Sequence, residues 1–268
     1  MSIKKFLKSN RYIYWLIRRV RSFQYSVLER VLFEISAALR KYGMLPLPIK
    51  KLKNKYSGKR CFIIATGPSL TIEDLAALKD EYTMGMNSLC KIFPTLGWET
   101  TFFGIQDFNV FNSLNNEIKK LTNTILLCGS NLKQKFKLPQ NAITFPLDLL
   151  NHKMHPDDCY KTDFSDDCNV RVYDGYTITY SLIQLAVYFG FKEIYLLGCD
   201  CSYTGSQDHF IEHGVFDQYF STAQNRLFFS YKVAFEYAKK HNIQIYNATR
   251  GGALEIFPRV NFDDLITH

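Results

Sequence analysis

A glycine-containing loop after the first predicted strand is suited to bind a phosphate. Thr66-Gly67-Pro68-Ser69 follows an apolar run over residues 60–65 and precedes a predicted helix. Glycine lets backbone N–H groups approach an anion, and a helix N-terminus adds donors and the positive end of its dipole. The alternative is an ordinary turn capped by Ser69, because the loop lacks the further glycines of a dinucleotide fingerprint and the lysine of a Walker loop.

A second predicted helix begins in a similar way. Gly175, Tyr176 and Thr177 lead into a helix predicted over residues 177–189, which Gly190 ends. Two helix ends of this kind in one sheet are suited to a diphosphate, or to the phosphate and charged sugar of an activated donor. The alternative is that Thr177 is an ordinary N-cap.

Other polar residues follow the predicted strands. Asn87 and Asp107 come after the second and third strands, Asp200 follows a later strand, and residues 247–252 follow the last one. In parallel sheets ligands bind beyond the carboxyl ends of the strands. We expect the acid–base candidates to be Asp107, Asp200, His209 and His213. No metal is required by this set, although Asp107 and Asp200 are the ligands expected if the reaction needs Mg²⁺.

The elements that must position these residues alternate between strand and helix. This alternation predicts an α/β, Rossmann-like domain over residues 58–268, with a mostly parallel sheet covered by helices on both faces. Residues 129–170 are polar and predict an irregular insertion. Strands are predicted over 60–65, 82–87, 101–106, 124–128, 192–198 and 243–246. Helices are predicted from about 71, where Thr71 and Asp74 resemble a capping box, over 177–189 and over 223–241.

The basic charge is confined to the N-terminal segment. Residues 1–60 contain 16 Lys/Arg and 2 Glu, whereas residues 61–268 contain 17 Lys/Arg and 23 Asp/Glu. This asymmetry argues against a nucleic-acid-binding domain. Residues 1–57 are predicted to be a helical extension, with an amphipathic helix over 11–40 that binds an anionic membrane surface or packs on the domain, followed by a basic linker over 50–59.

Composition also indicates the compartment. No apolar run reaches the roughly 18 residues that a membrane span needs, and arginines interrupt any signal-peptide core. Seven irregularly spaced cysteines indicate reduced thiols rather than a disulfide framework or a zinc site. We therefore expect a cytoplasmic protein, peripheral to the inner face of the cell membrane through its basic extension.

The combined motifs resemble a known family. The segments CFIIATGPSL, MGMNSL and FFGIQD, followed by DGYTITYSL, KEIYLLGCDCSYTG and IQIYNATRGG, are similar to the MptE-like, 6-hydroxymethylpterin diphosphokinase-like family. Bacterial members of that family often belong to surface-polysaccharide gene sets. The motif order also resembles that of bacterial CMP-sialic-acid-dependent sialyltransferases. Those enzymes have a catalytic histidine ahead of their last helix. This chain has no histidine at the matching residues 220–225, and we consider His209 as the substitute.

The resemblance implies which residues contact a nucleotide donor. Carried over by position, they are Gly67, Pro68, Ser69 and Asn87 for the nucleotide, Gly175, Tyr176 and Thr177 for the phosphate, and Asp200 for the wall of the site. The chain is expected to be a transferase, foremost a glycosyltransferase that uses a CMP-sugar or another nucleotide-sugar and a glycan or lipid-linked acceptor in capsule or lipopolysaccharide biosynthesis. The alternatives are an ATP- and Mg²⁺-dependent pterin diphosphokinase and a non-catalytic nucleotide-binding module.

Overall fold

The computed structural model describes residues 27–150, 152, 160–202, 210 and 220–266. Seven parallel strands form its main sheet in the order β5-β4-β3-β2-β1-β8-β9, and two short strands, β6 and β7, form a second parallel pair. The predicted α/β, Rossmann-like fold is thereby confirmed. The strands are β1 Arg60–Ile64, β2 Thr83–Met86, β3 Phe102–Ile105, β4 Ile125–Gly129, β5 Ile143–Phe145, β6 Leu147–Asp148, β7 Val172–Tyr173, β8 Glu193–Leu197 and β9 Gln244–Asn247.

Helices cover both faces of this sheet. The described ones are α1 over residues 27–41, α2 Ile72–Ala77, α3 Phe93–Leu96, α4 Phe108–Ser113, α5 Asn115–Ile118, α6 Ile178–Phe189, α7 Phe220–Lys240 and α8 Phe262–Ile266. Alternate residues of β1 enter opposite cores: Cys61 and Ile63 pack toward α6 and α7, whereas Phe62 and Ile64 pack toward α2 to α5 and α8. This two-sided burial explains why the strands are continuous apolar runs.

The capping residues predicted for two helices are confirmed. Thr71 and Asp74 form a reciprocal capping box at the start of α2, with N–H to side-chain oxygen distances of 3.1 and 3.2 Å. Thr177 accepts a hydrogen bond from the Thr179 N–H at the start of α6, and Gly190 ends that helix with a φ of 101°. These contacts satisfy backbone groups that have no partner within the helix.

Two stretches differ from the sequence prediction. Residues 129–170 are not wholly irregular, because Ile143–Phe145 adds the edge strand β5 to the main sheet and Leu147–Asp148 begins the second sheet. The predicted linker over residues 50–59 packs on the domain, because Ile49 and Leu52 are buried in the core, where the 3-10 turn Pro48–Leu52 contacts the edge strand β5. Short apolar segments of this kind are hard to recognise between polar neighbours.

Only part of the helix predicted over residues 11–40 lies within the described residues. A helix does occupy residues 27–41, while residues 11–26 lie outside the described part of the chain. Within the described ranges, no helix is both long and apolar enough to cross a bilayer. The six described cysteines are buried free thiols.

Candidate functional site

The chain changes direction across the sheet between β1 and β8, and the carboxyl ends of these two strands carry predicted site residues. From β1 the chain proceeds to β2, β3, β4 and β5 on one side, and β8 and β9 lie on the other. Such a switch point opens a crevice where ligands of α/β proteins commonly bind. Here the loop containing Gly67 follows β1, and Asp200 follows β8.

A carboxylate from β8 fills the loop after β1. Ser69 donates to Asp200 through its backbone N–H at 3.2 Å and through its hydroxyl at 2.8 Å. A Cβ atom at Gly67 would lie 2.8 Å from Cγ of Asp200 and 2.5 Å from the carbonyl oxygen of Gly198. From the other side, a Cβ at Gly252 would lie 2.7 Å from Cα of Asp200. Both glycines are therefore needed to accommodate Asp200.

This contact changes the interpretation of the loop. The Ser69 donors, which were predicted to bind a phosphate, bind the Asp200 carboxylate. The carbonyl of Thr66 accepts from the Phe210 N–H at 2.7 Å, and Pro68 is exposed at the tip of the loop. Burial raises the pKa of the Asp200 carboxyl, although the hydrogen bonds from Ser69 act in the opposite direction. Asp200 is thus a stronger base than an exposed aspartate.

The start of α6 is the second predicted binding element. A Cβ at Gly175 would overlap the ring of Tyr180 and lie 2.9 Å from Cβ of Ser230, so this turn packs tightly between α6 and α7. Tyr176 follows with a φ of 66°, a conformation that is strained for a bulky residue. Backbone strain of this kind concentrates at functional sites.

Tyr176 is held between two side chains that the sequence analysis did not assign to the site. Its ring stacks on the imidazole of His152 with centroids 4.1 Å apart, and the Arg226 guanidinium lies 5.8 Å from its centroid. His152 contacts the Asp174 carboxylate through Nδ1 at 3.0 Å and the Lys161 carbonyl through Nε2 at 2.7 Å. His152 belongs to a polar segment of the sequence, which predicts a solvated side chain, and that prediction is wrong because both ring nitrogens contact the protein.

Gln106 connects this cluster to the main sheet. It follows β3, donates to Asp174 at 3.1 Å and accepts from the Ser181 hydroxyl at 2.7 Å. Its backbone carbonyl accepts from the Asn131 amide at 2.8 Å. The position of Gln106 at a strand end was a signal that could have identified it. The pairing of Asp174 with His152 joins distant segments, and sequence spacing gives no sign of it.

Asn87 and Asp107 occupy the ends of β2 and β3. Asn87 is half-buried with a φ of 50° and begins a short 3-10 turn. The exposed Asp107 caps α4, accepting from the N–H groups of Asn109 at 2.7 Å and Val110 at 2.9 Å. This cap gives Asp107 a structural role whether or not it contacts a ligand.

The two carboxylates assigned to Mg²⁺ are far apart. β3 and β8 are separated by β2 and β1, so a strand spacing of about 4.8 Å places Asp107 and Asp200 roughly 14 Å from each other across the sheet. Metal–oxygen distances of about 2.1 Å exclude a shared ion in this arrangement. Among the described residues, no cluster of three or more metal-ligating side chains occurs.

The remaining predicted residues either lie outside the described part of the chain or have structural roles. His209 lies outside the described residues, as does His213. In the loop after β9, Asn247 is fully buried and donates to the Leu254 carbonyl at 2.7 Å, so its role is structural. Arg259 holds the same loop by donating to three backbone carbonyls, at residues 249, 251 and 252.

A surface depression lined by Cys90, Trp98 and Glu117 lies at the opposite edge of the sheet. Residues 97–99 and 123 of its wall precede β3 and β4, so it opens at the amino ends of these strands. The predicted site residues do not line this depression.

The chain is similar to a known protein family and to a solved structure. The family model described as 6-hydroxymethylpterin diphosphokinase MptE-like matches residues 36–206, which is more than half of the chain. A search of curated proteins finds no match. Among solved structures, the MAf glycosyltransferase from Magnetospirillum magneticum AMB-1 aligns at 14% identity and a TM-score of 0.49, over 81% of this chain and 38% of that protein.

Proposed function

Because the chain belongs to the MptE-like family, we propose that it is a transferase that binds a nucleotide-activated sugar and transfers the sugar to a glycan or lipid-linked acceptor. The observation that carries this proposal is the cluster at the start of α6. There Gly175, strained Tyr176 and Thr177 lie beside the positive charge of Arg226. A helix N-terminus next to a guanidinium is a favourable place for a phosphate.

The donor phosphate is therefore assigned to the start of α6 rather than to the Gly67 loop. The Ser69 donors of that loop bind Asp200, whereas the α6 end adds the helix dipole and Arg226. The nucleoside then extends along the strand ends toward Asn87 and the Gly67 loop. This orientation retains the order of contacts that the motif resemblance implies.

The transfer forms a bond between the acceptor oxygen and the anomeric carbon of the donor sugar. The bond from that carbon to the phosphate oxygen breaks, and the nucleotide leaves with the bonding electrons. The N-terminus of α6 and Arg226 stabilise the developing negative charge on the leaving phosphate. Asp200 is the described candidate to accept the acceptor proton, because burial raises the pKa of its carboxyl. His209 is the second candidate for this role.

The second candidate function is diphosphoryl transfer to a pterin, for which the family is named. It needs ATP with Mg²⁺. The separation of Asp107 from Asp200 disfavours the metal site expected for it, so the glycosyltransferase is preferred. We place the activity in surface-polysaccharide biosynthesis at the cytoplasmic side of the membrane.

A thermal-shift panel tests these functions. Melting temperatures are measured with CMP, CDP, UDP, GDP and ATP, each with and without Mg²⁺. Stabilisation by a pyrimidine or guanine nucleotide without metal supports the glycosyltransferase, and stabilisation by ATP with Mg²⁺ alone supports the diphosphokinase. The absence of any shift contradicts both.

A matched pair of variants locates the phosphate. Arg226→Gln is expected to remove most of the extra stabilisation that CMP gives over cytidine, because it removes the countercharge at α6. Lys232→Gln removes one positive charge from an exposed position of the same helix and is expected to leave the CMP response unchanged. Equal responses of the two variants would contradict the assignment of the phosphate to α6.

A further inference from the structure

Helix α1 contacts the domain through its charged side. Arg30 donates to Asp148 at 2.7 Å, and Glu34 pairs with Arg171 at 2.6 Å. Arg171 also reaches Asp148 at 3.1 Å, and the Asp148 side chain is only 3% exposed. Six residues after Glu34, Arg40 donates to the Val170 carbonyl at 3.0 Å. These contacts fix the orientation of α1 on the β6–β7 pair.

The opposite side of α1 is apolar and exposed. At 100° per residue, the outward arc of the helix contains only apolar residues, five of which are 46–56% exposed: Val27, Leu28, Val31, Leu32 and Ile35. Three more exposed apolar residues follow the helix in sequence, Tyr42, Met44 and Leu45, which are 74%, 65% and 44% exposed. An exposed apolar helix face marks an interaction site, because soluble proteins rarely expose a large apolar patch without a function. We call these eight residues the α1 stripe.

Charge identifies the partner. The 26 residues that precede the stripe in sequence contain seven Lys/Arg and no Asp or Glu, and Lys41, Lys50 and Lys51 are exposed near its other end. An apolar helix face with basic residues before and after it in the sequence is the pattern of a helix that lies in the interface of an anionic bilayer. We infer that the α1 stripe inserts into an anionic lipid surface and holds the domain against it.

The place of α1 relative to the candidate site gives this inference a consequence. Arg171, which binds α1, is four residues from Gly175, so the two backbones are at most about 14 Å apart. The stripe lies on the far side of α1, which adds a helix diameter of about 10 Å to the separation between a membrane and the start of α6. An acceptor carried on a lipid would have to span this separation, and this step rests on the proposed function. The docking of the α1 stripe on lipid does not depend on the proposed function.

The test is co-sedimentation of the full chain with vesicles. Wild type is expected to bind vesicles of phosphatidylcholine mixed with phosphatidylglycerol and to bind pure phosphatidylcholine vesicles much more weakly. Leu28→Gln combined with Leu32→Gln is expected to lower binding about tenfold or more, because two half-exposed leucines no longer enter the bilayer. The variant should keep its melting temperature, since both side chains point to solvent.

Ile72→Gln is the matched control, because Ile72 is 44% exposed on α2, remote from the stripe in sequence, and the change leaves the charge unaltered. It should bind vesicles like wild type. Undiminished binding by the Leu28/Leu32 variant would overturn the inference. The inference would also be overturned if light scattering showed that the wild type is a dimer and that the Leu28/Leu32 variant is a monomer. The stripe would then join two copies of the chain. Nucleotide-induced stabilisation is measured in parallel, so that failure here is distinguishable from failure of the proposed function.

Discussion

Gly67→Ala tests whether the loop after β1 is built for a protein carboxylate. The added Cβ would lie 2.5 Å from the Gly198 carbonyl and 2.8 Å from Cγ of Asp200. Overpacking of this kind costs about 1–3 kcal/mol, and displacing Asp200 weakens charge-assisted hydrogen bonds worth about 1.5–3 kcal/mol. We expect a loss of about 3 kcal/mol in the free energy of unfolding. For a chain of this size that corresponds to a melting temperature lower by roughly 6–12 °C.

The assay is calorimetry or urea denaturation of the ligand-free protein. Gly97→Ala is the control, because Gly97 has a φ of 71° and nothing within 4 Å of an added Cβ, so only about 1 kcal/mol of backbone strain is expected. Asp200→Ala completes a double-mutant cycle, and the cost of Gly67→Ala should be smaller in its background. A Gly67→Ala protein as stable as the Gly97→Ala control, or strictly additive costs, would refute this explanation of the glycine.

Three further perturbations test the charges and caps around the site. Burial raises the folded-state pKa of Asp200, so ionising this carboxyl lowers the free energy of unfolding. Wild type should therefore lose stability relative to Asp200→Asn as the pH rises from below the ordinary pKa of 3.8 through the raised pKa. Urea denaturation of both proteins at each pH measures the difference, and a constant difference would contradict the prediction. Arg171→Met should lower the free energy of unfolding by about 2 kcal/mol. This is less than the roughly 3–5 kcal/mol of a wholly unpaired buried charge, because Arg30 still reaches Asp148. The variant should also speed amide exchange over residues 27–41, and unchanged exchange would show that the Arg171–Glu34 pair does not dock α1. Thr71→Ala should cost about 1 kcal/mol in urea denaturation through loss of the capping box, whereas Thr71→Ser should be close to wild type; equal losses would argue against the cap.

The sequence contained most of the information on the fold. Apolar runs bounded by turns located β1 to β4, β8 and β9 to within about two residues, and Thr71, Thr177 and Gly190 located the helix ends. These features are local, since each depends on a few neighbouring residues. The edge strand β5 and the buried 3-10 turn at Ile49 were missed, because tertiary packing rather than local pattern determines them.

The positions of the candidate residues in the fold were predictable from the sequence, but their contacts were not. The strand-end rule placed Gly67 and Asp200 at the carboxyl ends of β1 and β8, and the helix-start signal placed Gly175 before α6. It could not show that Asp200 fills the loop after β1, because that contact joins residues 131 positions apart. The stacking of His152 on Tyr176 likewise depends on the path of the chain between β6 and β7. Long-range pairs of polar side chains leave no periodic signal in a sequence.

The most direct test of a nucleotide site at the carboxyl edge is a calorimetric titration with the nucleotide that stabilises the protein most. Asn87→Gly removes only the amide side chain at the end of β2, because glycine tolerates the φ of 50° at this position. Asn242→Gly is the matched control, with a φ of 54° just before β9 at the opposite edge. We predict that Asn87→Gly weakens binding about tenfold, the value of a hydrogen bond of roughly 1.4 kcal/mol, and that Asn242→Gly binds like wild type. Equal affinities of the two variants, or no binding by wild type, would contradict the proposed site.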